Sequence, residues 1–213
     1  MFDVQKYNRL KEINKKYGYG SWALWKENNP KNKDVSFFDE MENNGELFNR
    51  LTDKVMMLAL NPSGNDNGAK PLLWKNFRGG KYDQRILMLV KEFKWGGCYI
   101  TDLFKEKIGT SSKDAREQIC EWEKNGKLKE KIEPFVNELN AIDLDSLDWI
   151  IVFGKSTTYE IVKDLVKDGF FPKKILGKIV IITHYSYRHK KCKNDEGYLE
   201  CVKDQLKEQN IFA

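Results

Sequence analysis

Four short polar segments each follow an apolar run: Asn61-Pro62-Ser63-Gly64, Thr101-Asp102, Gly154-Lys155-Ser156-Thr157 and His184-Tyr185-Ser186. Together they offer a carboxamide, a carboxylate, a lysine and an imidazole, the last from one of only 2 histidines in the chain. Such groups can hold a water, accept or donate a hydrogen bond, or stabilise a developing charge. Each also has an ordinary structural use. Asn-Pro-Ser-Gly is turn chemistry, Asp102 can cap the segment after it, and a lone histidine often serves only as a hydrogen-bonded structural residue. Their recurrence at corresponding places is what points to a site.

The apolar runs that precede them read as strands: Val55–Asn61, Cys98–Leu103, Trp149–Gly154 and Ile179–His184. The first, third and fourth are almost continuously apolar, as expected of strands covered on both faces. Helical patterns lie between them. Asp83 to Phe93 puts Ile86, Leu87, Val90 and Phe93 on one face; Lys113 to Lys124 follows Ser112, a candidate N-cap. Leu128 to Leu139 should be shortened or kinked by Pro134. Lys155 to Lys167 stops at Gly169, with Thr157 and Glu160 as a capping box. Gly197 to Gln209 reads as a terminal helix, and Gln5 to Lys16 as an initial one that stops at Gly18.

Strand–helix alternation of this kind predicts an α/β fold, a three-layer α/β/α arrangement round a mostly parallel four-stranded sheet. Ligands of such sheets bind beyond the carboxyl ends of the strands, where the four polar segments would converge. Gly154-Lys155-Ser156-Thr157 has the strand-to-helix context of a P-loop. The glycine such a loop needs five residues before the Gly-Lys pair is replaced by Trp149, so nucleoside triphosphate hydrolysis is not expected, while a single phosphate at the helix N-terminus stays open.

Composition narrows the class further. At roughly 150 residues per domain, 213 residues suit one domain, with residues 1–50 an N-terminal extension packed on it. In that extension, the aromatic stretch Tyr17–Trp25 reads as an arm laid across the core, and Asn28–Asp34 as a surface turn. The 37 Lys and Arg against 32 Asp and Glu give a net charge of +5, which allows a polyanionic partner without requiring one. No apolar run approaches the ~18 residues a membrane span needs. The chain opens on Asp3, Lys6 and Arg9 rather than an apolar signal, so a cytoplasmic, monomeric protein with no membrane partner is expected. The 4 cysteines, at 98, 120, 192 and 201, form no C-x-x-C pair, so neither a metal nor another cofactor is expected. A Cys192–Cys201 bridge would require an oxidising environment.

Three of the polar segments, in order, resemble motifs of the uracil-DNA glycosylase superfamily. Ala59-Leu60-Asn61-Pro62-Ser63-Gly64 is similar to that family's first motif, Tyr99-Ile100-Thr101-Asp102 to its second-strand end, and His184-Tyr185-Ser186 to its late H-P-S motif. The resemblance spans roughly Val55 to Lys193 and leaves the first 50 residues without a counterpart. It implies a DNA glycosylase that flips a uracil or other deaminated or damaged base into the crevice and hydrolyses its N-glycosidic bond. Asn61 would hold the attacking water and His184 would hydrogen-bond the base carbonyl that gains charge. Asp102 and Ser63 would face the base, and Phe77 would stack beneath it. Tyr187 or Arg188 would wedge the gap in the DNA, with Arg188, Lys190, Lys191 and Lys193 meeting phosphates.

Two departures from the family pattern bear on substrate. Asp102 stands where uracil readers carry Asn. An ionised carboxylate only accepts hydrogen bonds, so either Asp102 is protonated in a buried site or the base presents an amino group. Tyr185 replaces the proline of H-P-S. The alternatives are therefore a non-catalytic nucleic-acid or base-binding protein of the same fold, or a hydrolase of small nucleosides or nucleotides.

Overall fold

A computed structural model describes residues 2–62, 72–109 and 112–211. In chain order the elements are α1 (Val4–Tyr17), β1 (Gly20–Trp22), α2 (Ser36–Asn43), α3 (Leu47–Arg50), β2 (Thr52–Ala59), α4 (Asp83–Glu92), β3 (Cys98–Asp102), α5 (Ser112–Lys124), α6 (Leu128–Ile142), β4 (Trp149–Phe153), α7 (Glu160–Lys167), β5 (Ile179–Ile182) and α8 (Asp195–Glu208). The fold is α/β, round one sheet of order β1-β3-β2-β4-β5. The β3–β2, β2–β4 and β4–β5 pairs are parallel, and β1 runs antiparallel to β3.

The sheet thus has five strands rather than the four the sequence suggests; it is mostly parallel, as expected, and is mixed because β1 runs antiparallel at its edge. The extra strand is Gly20-Ser21-Trp22, inside the aromatic stretch read as an arm. Three residues without alternation leave no period to detect. Its backbone pairs with the open edge of β3, Gly20 opposite Thr101 and Trp22 opposite Tyr99. Trp22 and Trp25 are both buried, so this stretch completes the sheet and its cover. Gly20 is required there by space: a Cβ would fall 2.0 Å from the Tyr99 hydroxyl oxygen and 2.4 Å from Asn14 Oδ1.

Alternation along the strands divides the core in two. Met56, Leu58, Tyr99, Ile150 and Val152 face a cluster that includes residues of α1, α2, α5, α6 and α7. Val55, Met57, Ile100, Ile151, Phe153 and Val180 face a second cluster with α4 and α8. Helices therefore cover both faces, which is why the central strands carry almost no polar side chains.

Two helix expectations need correction. Pro134 lies inside α6, which runs unbroken through 15 residues. Leu128, Ile132, Phe135 and Leu139 are all buried, and their packing outweighs the one backbone bond a proline forfeits. The segment after β4 opens as a π-helical turn, Lys155–Tyr159, before α7, so Thr157 lies inside the turn rather than at a cap. The side chain of Ser112 lies outside the described residues. The other expected helices match their spans within a few residues, whereas α2 and α3, in the N-terminal extension, are not foreseen by the sequence. Helix α1 is capped by Asp3, whose Oδ1 accepts from the Gln5 N–H at 2.7 Å, and ends at Gly18 with φ +76°. Among the described residues, no helix is long and apolar enough to cross a membrane.

Candidate functional site

A cleft of about 1010 Å³ opens beyond the carboxyl ends of β2, β4 and β5. Asn61, Gly154, Ser156, His184, Ser186 and Tyr187 are among its lining residues. Each wall follows from local chemistry. β2 stops at Ala59, and Asn61 sits on the loop that follows, next to Pro62, which has no N–H to offer a ladder. Asn61 Nδ2 donates to the Pro62 carbonyl at 3.0 Å, which directs its amide oxygen away from that bond. At the end of β4, Gly154 has φ +99°, a region that L side chains rarely adopt. Its N–H still donates to the Ile182 carbonyl at 2.8 Å, so β4 and β5 stay joined up to the mouth of the cleft.

His184 is held from both sides. Before it, every polar group of Thr183 is bonded to α8. Its N–H donates to Gln205 Oε1 at 2.8 Å, its hydroxyl accepts from Gln205 Nε2 at 2.7 Å, and its carbonyl accepts from the Tyr198 hydroxyl at 2.9 Å. After it, the buried Arg85 of α4 donates to the carbonyls of Tyr185, Tyr187, Cys192 and Lys193 at 3.2, 2.6, 3.1 and 3.4 Å. Arg85 also pairs with Asp195 at 2.8 Å. One guanidinium therefore gathers the whole loop that follows β5.

The imidazole itself is oriented by its own loop. Nδ1 accepts the Ser186 N–H at 3.2 Å and lies 2.8 Å from Ser186 Oγ. A backbone N–H can only donate, so Nδ1 is the acceptor and the neutral ring carries its proton on Nε2. Burial lowers the His184 pKa to about 4, so the ring is neutral at pH 7. A neutral Nε2–H donor at the head of a strand can stabilise an oxygen that gains charge. The ring stacks on Tyr185, with centroids 4.3 Å apart.

Asp102 and Phe77 are placed differently from the convergence expected of them: neither lines the cleft. Asp102 is 1 % exposed, its Oδ2 accepting from Asn76 Nδ2 at 2.8 Å and its Oδ1 without a hydrogen-bond partner among the described residues. Burial pushes its pKa up to about 7; the bond from Asn76 and the charge of Lys105 pull the other way. Phe77 belongs to the core on the α4 and α8 side and meets the edge of Tyr185 at 6.5 Å. It has φ +58°, unusual for an aromatic residue, with its carbonyl tied by the Trp25 indole N–H at 3.3 Å. Tyr185 packs its ring against His184, Phe153 and Phe77, and its pKa is raised by burial first and then by the charges of Asp102 and Asp83.

Behind Asp102 lies a second buried network. Glu138, fully buried, accepts from Tyr99 Oη at 2.8 Å, Thr101 Oγ1 at 2.9 Å and Lys105 Nζ at 2.7 Å. Asn14 Nδ2 donates to the Tyr99 hydroxyl at 2.6 Å. Lys105 also donates to the Asp102 carbonyl at 2.8 Å, which ties the end of β3 to α6.

The basic segment lies at the rim. Tyr187 is 45 % exposed, and Arg188, Lys191 and Lys193 are also exposed. Ser63 and the side chain of Lys190 lie outside the described residues. Sequence reasoning missed Arg85 and Tyr198, which support the site without lining the cleft, and Gln205, which also lines it. Arg85 had one visible signal, a cation within the apolar face of a helix; Gln205 and Gln209 had another, amides four apart on the terminal helix. No protein-family model, curated protein or solved structure matches the chain.

Proposed function

We propose that this chain is an N-glycosyl hydrolase of the uracil-DNA glycosylase type, releasing a base flipped out of DNA. The observation that carries this reading is the neutral His184, whose Nδ1 is committed to the Ser186 N–H and which lines the same cleft as Asn61. Loss of a base leaves negative charge on the departing ring, and a neutral donor stabilises that charge without first giving up a proton. Asn61 Oδ1 accepts from the water that attacks the sugar carbon. The exposed Tyr187 and the cations beside it meet the DNA backbone. Asp102, poised near pH 7, offers the base either a hydroxyl donor or a carboxylate acceptor.

The test is base release from single- and double-stranded oligonucleotides carrying uracil, hypoxanthine or xanthine, read by mass. The expected result is an abasic product, abolished by Asn61→Ala and slowed about 10²-fold or more by His184→Ala. One observation favours a second reading, a binding protein without catalysis: Asp102 and Phe77 are buried away from the cleft. That reading predicts salt-dependent DNA binding with every oligonucleotide left intact. Release of base from free nucleosides or nucleotides alone would assign the cleft to small substrates and overturn the DNA reading.

A further inference from the structure

The chain has 4 cysteines, and all are free thiols in the structure. Cys98 is buried in β3 and Cys120 is exposed on α5. Cys192 and Cys201 face each other, their Sγ atoms 2.7 Å apart. Cys192 sits on the 3-10 turn Lys190–Lys193 that closes the loop after β5, and Cys201 is on α8. The backbone is set on both sides of the pair. Arg85 holds the carbonyls of Cys192 and Lys193, and Asn194 caps α8 by accepting from the Gly197 N–H at 2.9 Å. Cys192 is 5 % exposed, whereas Cys201 is partly open to solvent, so a reagent meets Cys201 first.

We propose that Cys192 and Cys201 form a modification site: an intramolecular disulfide that closes on exposure to a small disulfide oxidant such as oxidised glutathione and staples the basic loop after β5 to α8. The Cys201 thiolate attacks one sulfur of the oxidant, breaking its S–S bond and releasing one glutathione thiolate. The Cys192 thiolate then attacks Cys201 Sγ, forming the intramolecular bond and releasing the second glutathione. The two cysteine protons end on the two glutathiones, and the two electrons reduce the oxidant. Excess thiol reverses both steps. Burial pushes the Cys192 thiol up to about 11, with Cys201 adding to the rise and Arg85 opposing it, so the second step quickens as pH rises. The inference stands on the thiol pair and its backbone supports, and holds whichever chemistry the neighbouring cleft performs.

The test uses the full chain and its Cys120→Ser variant, which removes the exposed thiol. Each is treated with oxidised glutathione and then digested without reduction. The expected result is a peptide joining 192 to 201, a fall of two in the thiols titrated under denaturing conditions, and slower amide exchange across residues 188–194. The cross-link disappears in Cys201→Ser and in Cys192→Ala, a second variant in case the first folds poorly. Glutathione retained on Cys201 with no cross-link would overturn the proposal. So would a cross-link that leaves exchange across 188–194 unchanged.

Discussion

The carboxyl ends of β5 and β3 are built on opposite plans. At the β5 end, a loop is held by side chains from two helices so that one imidazole stays neutral and open to the cleft. Arg85, Gln205 and Tyr198 spend their hydrogen bonds on backbone groups around His184. At the β3 end, the side chain at the strand terminus is itself buried, and the neighbouring polar groups bond to one another. The first plan presents a group whose state is settled at neutral pH. The second keeps a carboxyl at its tipping point, because burial raises its pKa while Asn76 and Lys105 lower it. Position at a strand end is therefore shared by His184 and Asp102, but readiness for a ligand is not.

The largest effect expected is at the β5 end. Arg85→Ala removes the donor that four loop carbonyls share and unpairs Asp195. A loss of roughly 4 kcal/mol follows, or a fall of about 8–16 °C in Tm for a chain of this size. Arg85→Lys, which keeps the charge but not the fork, should recover only part of it. A variant that melts like the wild type would show that the loop is organised without Arg85.

Next come the opposite pH signatures of the two ends. The Asp102 pKa is raised in the folded state from 3.8 to about 7. Between those values the unfolded chain has lost a proton the fold keeps, so the group's contribution to stability falls as pH rises. His184 is lowered from 6.5 to about 4, so its contribution falls as pH drops through that window. In wild-type protein the two trends oppose each other between about pH 4 and 6.5. Asp102→Asn should gain stability relative to wild type as pH rises from 4 to 8, on the order of 3 kcal/mol at the top. His184→Gln should gain relative to wild type as pH falls below 6.5. Denaturant titrations across pH read both differences. Differences of the same sign for the two variants would erase the contrast between the ends.

A smaller effect sharpens the β5 plan. Tyr198→Phe deletes the donor to the Thr183 carbonyl and should cost about 1 kcal/mol, with increased amide exchange at residues 183–186. The smallest effect on stability lies at the rim. Arg188→Ala should change stability by less than about 0.5 kcal/mol. On the DNA-binding reading it lowers the salt dependence of binding by about one phosphate contact. An unchanged salt slope would place Arg188 outside any nucleic-acid interface.

Much of the frame was legible in the sequence because burial leaves a pattern there. Strands covered on both faces read as unbroken apolar runs, and Trp149–Phe153 needs no partner to be recognised. Amphipathic periodicity located α4, and glycine after tyrosine ended α1. The polar residues at the strand ends were visible for the same reason, as breaks in apolar runs. Tertiary structure alone decided the rest. Gly20–Trp22 became a strand because β3 had an open edge, a fact held in no local period. Pro134 stayed helical because its neighbours pack into the core. Asn61 and His184 reached a common cleft, while Asp102 and Phe77, equally plausible by position, were buried away from it. A side chain's type and spacing record what it can do. Whether it meets solvent, a ligand or another buried group depends on residues distant in sequence, and a hydrogen bond from Arg85 to the Lys193 carbonyl leaves no local trace in either segment.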